Sequence, residues 1–195
     1  MKADIILAGV GGQGILSIAA TIGTAALQQG LYMKQSEVHG MSQRGGDVSS
    51  NMRISSTQVD SDLIPRGKAD VIISVEPMES LRYISWLKPD GWLITNAKPF
   101  NNISNYPDIE EIYKEIRKVK NHVIIDADEI AKEIQSARSS NIVMLGAASP
   151  FIDMDFDTFK KALETIFGSK GKDIVNKNLE ALEKGRSYTM NHKGN

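Results

Sequence analysis

Three side chains able to do chemistry near neutral pH stand within eight residues of each other: Glu37, His39 and Arg44, with Gly45 and Gly46 next in line. An arginine beside glycines can present its planar fork to a phosphate or carboxylate, or close a salt bridge with Glu37 or Asp47. A lone histidine with no partner visible in sequence reads as a hydrogen-bonded loop or interface residue before it reads as a base. A second group offers backbone chemistry. The apolar run Ala3-Asp4-Ile5-Ile6-Leu7-Ala8 leads into Gly9, Gly11, Gly12, Gln13 and Gly14, in the spacing G-x-G-x-x-G. Glycines there turn the chain sharply, let N–H groups approach a ligand and let helix pack on strand. The free N–H groups of a helix's first turn suit an anion such as phosphate. The same glycines could equally serve strand–helix packing alone.

The elements that must position these groups follow from periodicity. Residues 3–8 read as a buried strand and residues 15–29 as a helix rich in small residues, stopped by Gly30. Residues 31–35 read as a second strand and the glycine-rich residues 36–47 as a long binding-type loop. A dinucleotide fold wants an acid at the second strand's end to hold the ribose, and Glu37 is the nearest candidate, slightly late. Val48, Ser50, Met52 and Ile54 alternate as a half-exposed strand would, and residues 54–68 read as a loop. Residues 69–75 form a buried strand, and Pro77 opens a helix. Glu76, between them, reads as that helix's cap. Residues 88–91 read as a turn before a strand at 92–95. Helices at 109–119, through Ile130 and Ile134, and at 157–167 and 172–184 alternate with a strand at 122–126. Asn141 reads as a possible cap for a buried helix. The pattern predicts one three-layer α/β domain over residues 1–185, a Rossmann-like, mostly parallel sheet with helices on both faces. Residues 186–195 read as a loose C-terminal tail.

Composition narrows the function. The net charge of −1 argues against a nucleic-acid binder. No apolar run reaches the roughly 18 residues needed to span a membrane. The chain has no cysteine, so it supplies no disulfide, no thiol nucleophile and no cysteine-ligated metal or iron–sulfur site. A reducing cytoplasm fits this pattern. No nucleophile paired with a base, and no metal site, is visible.

Taken together, G-V-G-G-Q-G, then E-V-H-G-M-S-Q-R-G-G-D-V and N-M-R-I-S, resemble the gamma-type subunit or domain of 2-oxoacid:ferredoxin oxidoreductases. The H-G-M-x-Q-R-G-G form is most similar to the small subunits of indolepyruvate ferredoxin oxidoreductases. The similarity extends to N-I-V-M-L-G-A at residues 141–147 and N-L-E-A-L-E-K-G at residues 178–185. The resemblance implies a subunit that is inactive alone. Thiamine diphosphate and iron–sulfur clusters would reside on a large partner subunit, with coenzyme A and ferredoxin serving the complex, and an aryl 2-oxoacid such as indolepyruvate as substrate. Without its partner such a chain could form a homodimer. On this reading the cofactor-facing residues are Gly9, Gly11, Gly12, Gln13, Gly14, Glu37, His39, Arg44, Gly45 and Gly46. Two other readings stay open here: a stand-alone oxidoreductase using NAD or a flavin, and a structural or regulatory subunit that binds no ligand.

Overall fold

A computed structural model of the chain describes residues 1–40, 45–101 and 103–192. Its centre is β1 (Lys2–Val10), buried from Ala3 onward. A strand covered on both faces reads as one continuous apolar run, which is what residues 5–8 are. Helix α1 (Ile15–Gln28) follows the glycine turn. Then come β2 (Tyr32–His39), β3 (Asp47–Ser55), β4 (Ala69–Ser74), α2 (Pro77–Tyr83), β5 (Leu87–Asn96) and α3 (Ile109–Ile116). The chain closes with β6 (His122–Ile125), α4 (Ala127–Glu133), α5 (Ser140–Ala148), α6 (Phe156–Phe167) and α7 (Lys172–His192). The sheet order is β2-β3-β1-β4-β5-β6. β1, β4, β5 and β6 pair in parallel, whereas β3 runs antiparallel to both β1 and β2.

Alternation along β1 divides the core. Ile5 and Leu7 join Ile18, Ile22, Phe159 and Leu182 under α1, α4, α5, α6 and α7. Ile6 joins Ile72, Leu93, Ile112 and Ile116 under α2 and α3. The expected three-layer α/β domain with helices on both faces is the one observed. Asp4, only 1% exposed, is tolerated inside because Arg53 Nε lies 2.8 Å from its carboxylate.

Four local expectations need correction. Residues 36–39 belong to β2 and Asp47 opens β3, so the expected twelve-residue loop is a hairpin connection between residues 39 and 47. Residues 88–91 are not a turn but part of β5, where the register against β4 shifts between Ala69 and Val71 and Lys88 pairs with Asp70 at 2.7 Å. The third helix ends at Ile116. The loose tail is helical as far as His192. Its few apolar residues mislead because polar groups anchor it. Thr189 Oγ1 donates to Ala147 O at 2.9 Å, Tyr188 Oη to Ile124 O at 3.0 Å, and Arg186 stacks on the Phe156 ring.

Candidate functional site

The glycine turn sits at the carboxyl end of β1, where open α/β sheets bind ligands. Gly12 has φ 100° and Gly14, the N-cap of α1, has φ 80°. L-residues with side chains rarely adopt such angles, which fixes both positions as glycine. Gly9 is glycine for another reason: a Cβ there would collide with Val75 and Ile15. Gln13 braces the turn from within. Val10 N–H donates to its Oε1 at 2.8 Å and its Nε2 donates to Val75 O at 3.3 Å. Asn141, carried by α5, donates from Nδ2 to Gly14 O at 3.0 Å, so the first turn of α5 buttresses the first turn of α1. Asn141 is not the cap of α5: the helix opens at Ser140, and Ser139 in the N-cap position makes no side-chain capping bond.

Beside the turn lies a cleft of about 570 Å³, lined among others by Gly12, Ser17, Phe100, Arg138 and Ser140. Arg138 is exposed on its wall and has no ion-pair partner among the described residues. Asn96 also reaches the cleft, but its amide is committed, bonding Asp128 at 2.8 Å and accepting from Ala127 N–H at 3.1 Å. A concave site that combines a helix N-terminus with an unpaired guanidinium is suited to a phosphate or carboxylate. Among the described residues that line it, no nucleophile is paired with a base.

A smaller cavity of about 110 Å³ adjoins the turn, lined by Gly45, Asp47, Glu76, Glu79 and Tyr106 among others. Glu76 caps α2 by accepting from Glu79 N–H at 2.8 Å, as its position between strand and proline suggested. Its other carboxylate oxygen accepts from Tyr106 Oη at 2.5 Å and from Phe100 N–H at 3.3 Å. Glu76 thereby ties down the segment that places Phe100 on the cleft wall. Burial first, and then the bond to Glu76, push the Tyr106 phenol far above its ordinary range. Glu79 is 4% exposed, and burial raises its carboxyl above 4.5 although Arg82 opposes the shift. Arg82 Nε lies 2.7 Å from Glu79 Oε2 without the alignment of a hydrogen bond.

A group whose folded pKa lies above its unfolded value contributes fully below the unfolded value. That contribution disappears as pH rises through the folded value. The Glu79 contribution to stability should therefore be complete below the ordinary carboxylate range and be lost as pH rises above it. Glu79→Gln, neutral throughout, should flatten that slope in thermal midpoints measured against pH; an unchanged slope would clear Glu79.

The structure brings only part of the expected set together. Gly11 N–H donates to Gly46 O at 2.9 Å, joining the glycine turn to the β2–β3 connection, and Gly45 reaches the adjoining cavity. Glu37 and His39 lie on β2, where they pair with each other rather than turning to the cleft. β3 separates β2 from β1, so Glu37 stands two strand spacings, about 9.5 Å, from the strand that carries the turn. Arg44 lies outside the described residues. Arg138 and Phe100 were not foreseen; the one available signal was the polar Arg138-Ser139-Ser140 run ahead of a buried helix. Among the described residues no group of three His, Asp or Glu side chains is placed to hold a metal ion. None of the described helices is long and apolar enough to cross a membrane.

A doubly covered mixed sheet with a glycine turn at its carboxyl edge defines a Rossmann-like α/β domain, and comparison with known proteins names the class. The chain belongs to the pyruvate ferredoxin/flavodoxin oxidoreductase family, whose sequence pattern matches residues 4–188. It is 38% identical to indolepyruvate oxidoreductase subunit IorB of Archaeoglobus fulgidus, over 97% of this chain and 96% of that one. With the subunit of the same name from Pyrococcus horikoshii it shares 36% identity over 93% of each. Among solved structures it is similar to a 2-oxoglutarate:ferredoxin oxidoreductase from Magnetococcus marinus, crystallised with 2-oxoglutarate, coenzyme A and succinyl-CoA (TM-score 0.77, 25% identity). That likeness covers all of this chain but 32% of the other, so the chain corresponds to about a third of that longer protein.

Proposed function

We propose that this chain is the small subunit of a 2-oxoacid:ferredoxin oxidoreductase that acts on an aryl 2-oxoacid such as indolepyruvate. The observation that carries this reading is the end-to-end match to indolepyruvate oxidoreductase subunits, with both chains covered almost completely. In such a complex a larger partner holds thiamine diphosphate and the iron–sulfur clusters, and ferredoxin accepts the electrons. The residues of this chain do not fit an iron–sulfur cluster, because it has no cysteine. They do fit an anionic group. Among the described residues nothing lies within 4 Å of where a Cβ on Gly12 would stand, and Arg138 lines the same cleft. The backbone at Gly12 and Gly14 together with Arg138 would hold a phosphate of coenzyme A or thiamine diphosphate, orienting the larger molecule towards the partner. When bound, thiamine diphosphate stabilises the carbanion left by decarboxylation, and coenzyme A takes up the acyl group. The family and the cysteine-free composition together favour a cytoplasmic enzyme.

The NAD reading loses its ribose-binding acid, because Glu37 is paired with His39 on an edge strand away from the turn. Titrating the purified chain with coenzyme A, thiamine diphosphate, NAD and FAD tests the assignment. The chain alone should show no 2-oxoacid oxidation with a viologen acceptor; activity from it would end the subunit reading.

Arg44 keeps its place in the proposal through the resemblance. Arg44→Ala should cost under about 0.5 kcal/mol of stability, the size expected of a charge that makes no structural salt bridge. It should still weaken turnover or subunit association in the complex, and Arg44→Lys should restore only part, lacking the fork. Melting curves and steady-state assays of the assembled enzyme check both halves.

A further inference from the structure

Strand β2 is one edge of the sheet, and its register with β3 leaves one set of its backbone groups unbonded by the described strands. Gly40 N–H donates to Asp47 O at 2.8 Å, in line with the β2–β3 register from Tyr32↔Ser55 to His39↔Val48. Bonded pairs alternate along an antiparallel ladder, so even-numbered residues of β2 turn their N–H and C=O groups to β3. Met33, Gln35 and Glu37 turn theirs to the open edge. Natural edges are blunted by charged side chains, above all lysine, by proline, by bulges or by extreme shortness. The lysine on β2, Lys34, turns its ammonium to Asp60 O at 2.9 Å. β2 is eight residues long, contains no proline and pairs with β3 without a bulge. Tyr32 and Val38, 54% and 57% exposed, project from the same face of that strand.

We propose that β2 pairs antiparallel with β2 of a second copy of this chain, about a two-fold axis through Gln35, joining the two sheets into one. A two-fold axis perpendicular to the sheet keeps every side chain on its own face, so opposed residues share parity. Centred on Gln35, the pairing sets Met33, Gln35 and Glu37 against Glu37, Gln35 and Met33 of the second copy. The residues with free backbone groups meet one another and exchange bonds reciprocally. Tyr32 meets Val38 of the second copy at a non-bonded position, where side chains sit closest and aromatic–β-branched pairs are favourable. No neighbouring register does this. Centring on Lys34 or Glu37 opposes like charges at the axis, and centring on Ser36 sets Val38 against Lys34 and Tyr32 against Gly40. Self-complementarity of this kind is a property of identical strands and selects a second copy over an unlike partner. The inference uses nothing in the cleft and stands apart from the proposed activity.

The absence of cysteine makes the test clean, because one substitution gives one thiol per chain. The paired Cα atoms at residue 35 would lie about 5.5 Å apart, a span a disulfide bridges. Under mild oxidation Gln35→Cys should convert to a covalent dimer, while Met33→Cys and Glu37→Cys stay single chains on a denaturing gel. In sedimentation velocity the unmodified full chain should show the two-chain mass. Gln35→Pro, which removes an N–H that β3 does not use, should show the one-chain mass with its circular-dichroism melt retained. Should Gln35→Pro not fold, the cysteine scan decides alone. A one-chain mass for the unmodified protein, or equal cross-linking at residues 33, 35 and 37, would overturn the pairing.

Discussion

Gly185→Val is expected to cost the fold more than about 3 kcal/mol, since the obstacle is main chain and cannot rotate away. Gly185, on α7, faces α5 so closely that an added Cβ would fall on the carbonyl oxygen of Val143 and 2.9 Å from Ala147 N. Gly146 on α5 mirrors it, facing the carbonyl of Leu182. The two glycines let α5 and α7 touch backbone to backbone, with α5 buried along almost its whole length between α7 and the sheet. Accommodating valine means separating the helices and opening a core that includes Leu182, Met144 and Leu145. Total stability of a domain this size is of order 5–15 kcal/mol, so the loss is a large share of it. Urea unfolding of the variant beside wild type measures the change. A shift in the range of an ordinary surface mutation would show that the helices slide apart at little cost.

Gly12→Val should act the other way round, leaving a folded chain but a disabled complex. An added Cβ at Gly12 meets no atom of the described residues within 4 Å, so none of them is displaced. The cost to the fold is the forced backbone at φ 100°, about 1–3 kcal/mol. The valine would, however, project into the space through which the proposed anionic group would approach the turn. Mispositioning a bound reactant by about an ångström can cost on the order of 10²-fold in rate, and a loss of that size is expected in the assembled enzyme. Turnover close to wild type, with the fold shown intact, would mean that no ligand approaches Gly12.

These two glycines also illustrate what was legible in the sequence. The strand–turn–helix at the start was legible because an apolar run, a fixed glycine spacing and a small-residue helix agree locally. The hairpin of β2 and β3 was not. Residues 36–39 lie half-buried or exposed on an edge strand, so no apolar alternation marks them, and their glycine-rich surroundings mimic a loop. Insertion of β3 between β1 and β2 is a non-local pairing that no window of sequence reports, yet it is what carries Glu37 away from the turn. The last turns of α7 were missed because hydrogen bonds from Tyr188 and Thr189, with the Tyr188 ring packed on the core, hold a segment otherwise poor in apolar residues. Arg138 and Phe100 reach the cleft from segments more than 80 residues beyond the turn, and only the fold brings them there.

The most direct test of the central claim is affinity purification of the tagged chain from its native cell, followed by an assay of what comes with it. A large chain carrying thiamine diphosphate and iron–sulfur clusters should copurify, and the complex should reduce ferredoxin with an aryl 2-oxoacid and coenzyme A. A chain recovered without such a partner, or a complex inert towards every 2-oxoacid, would contradict the account.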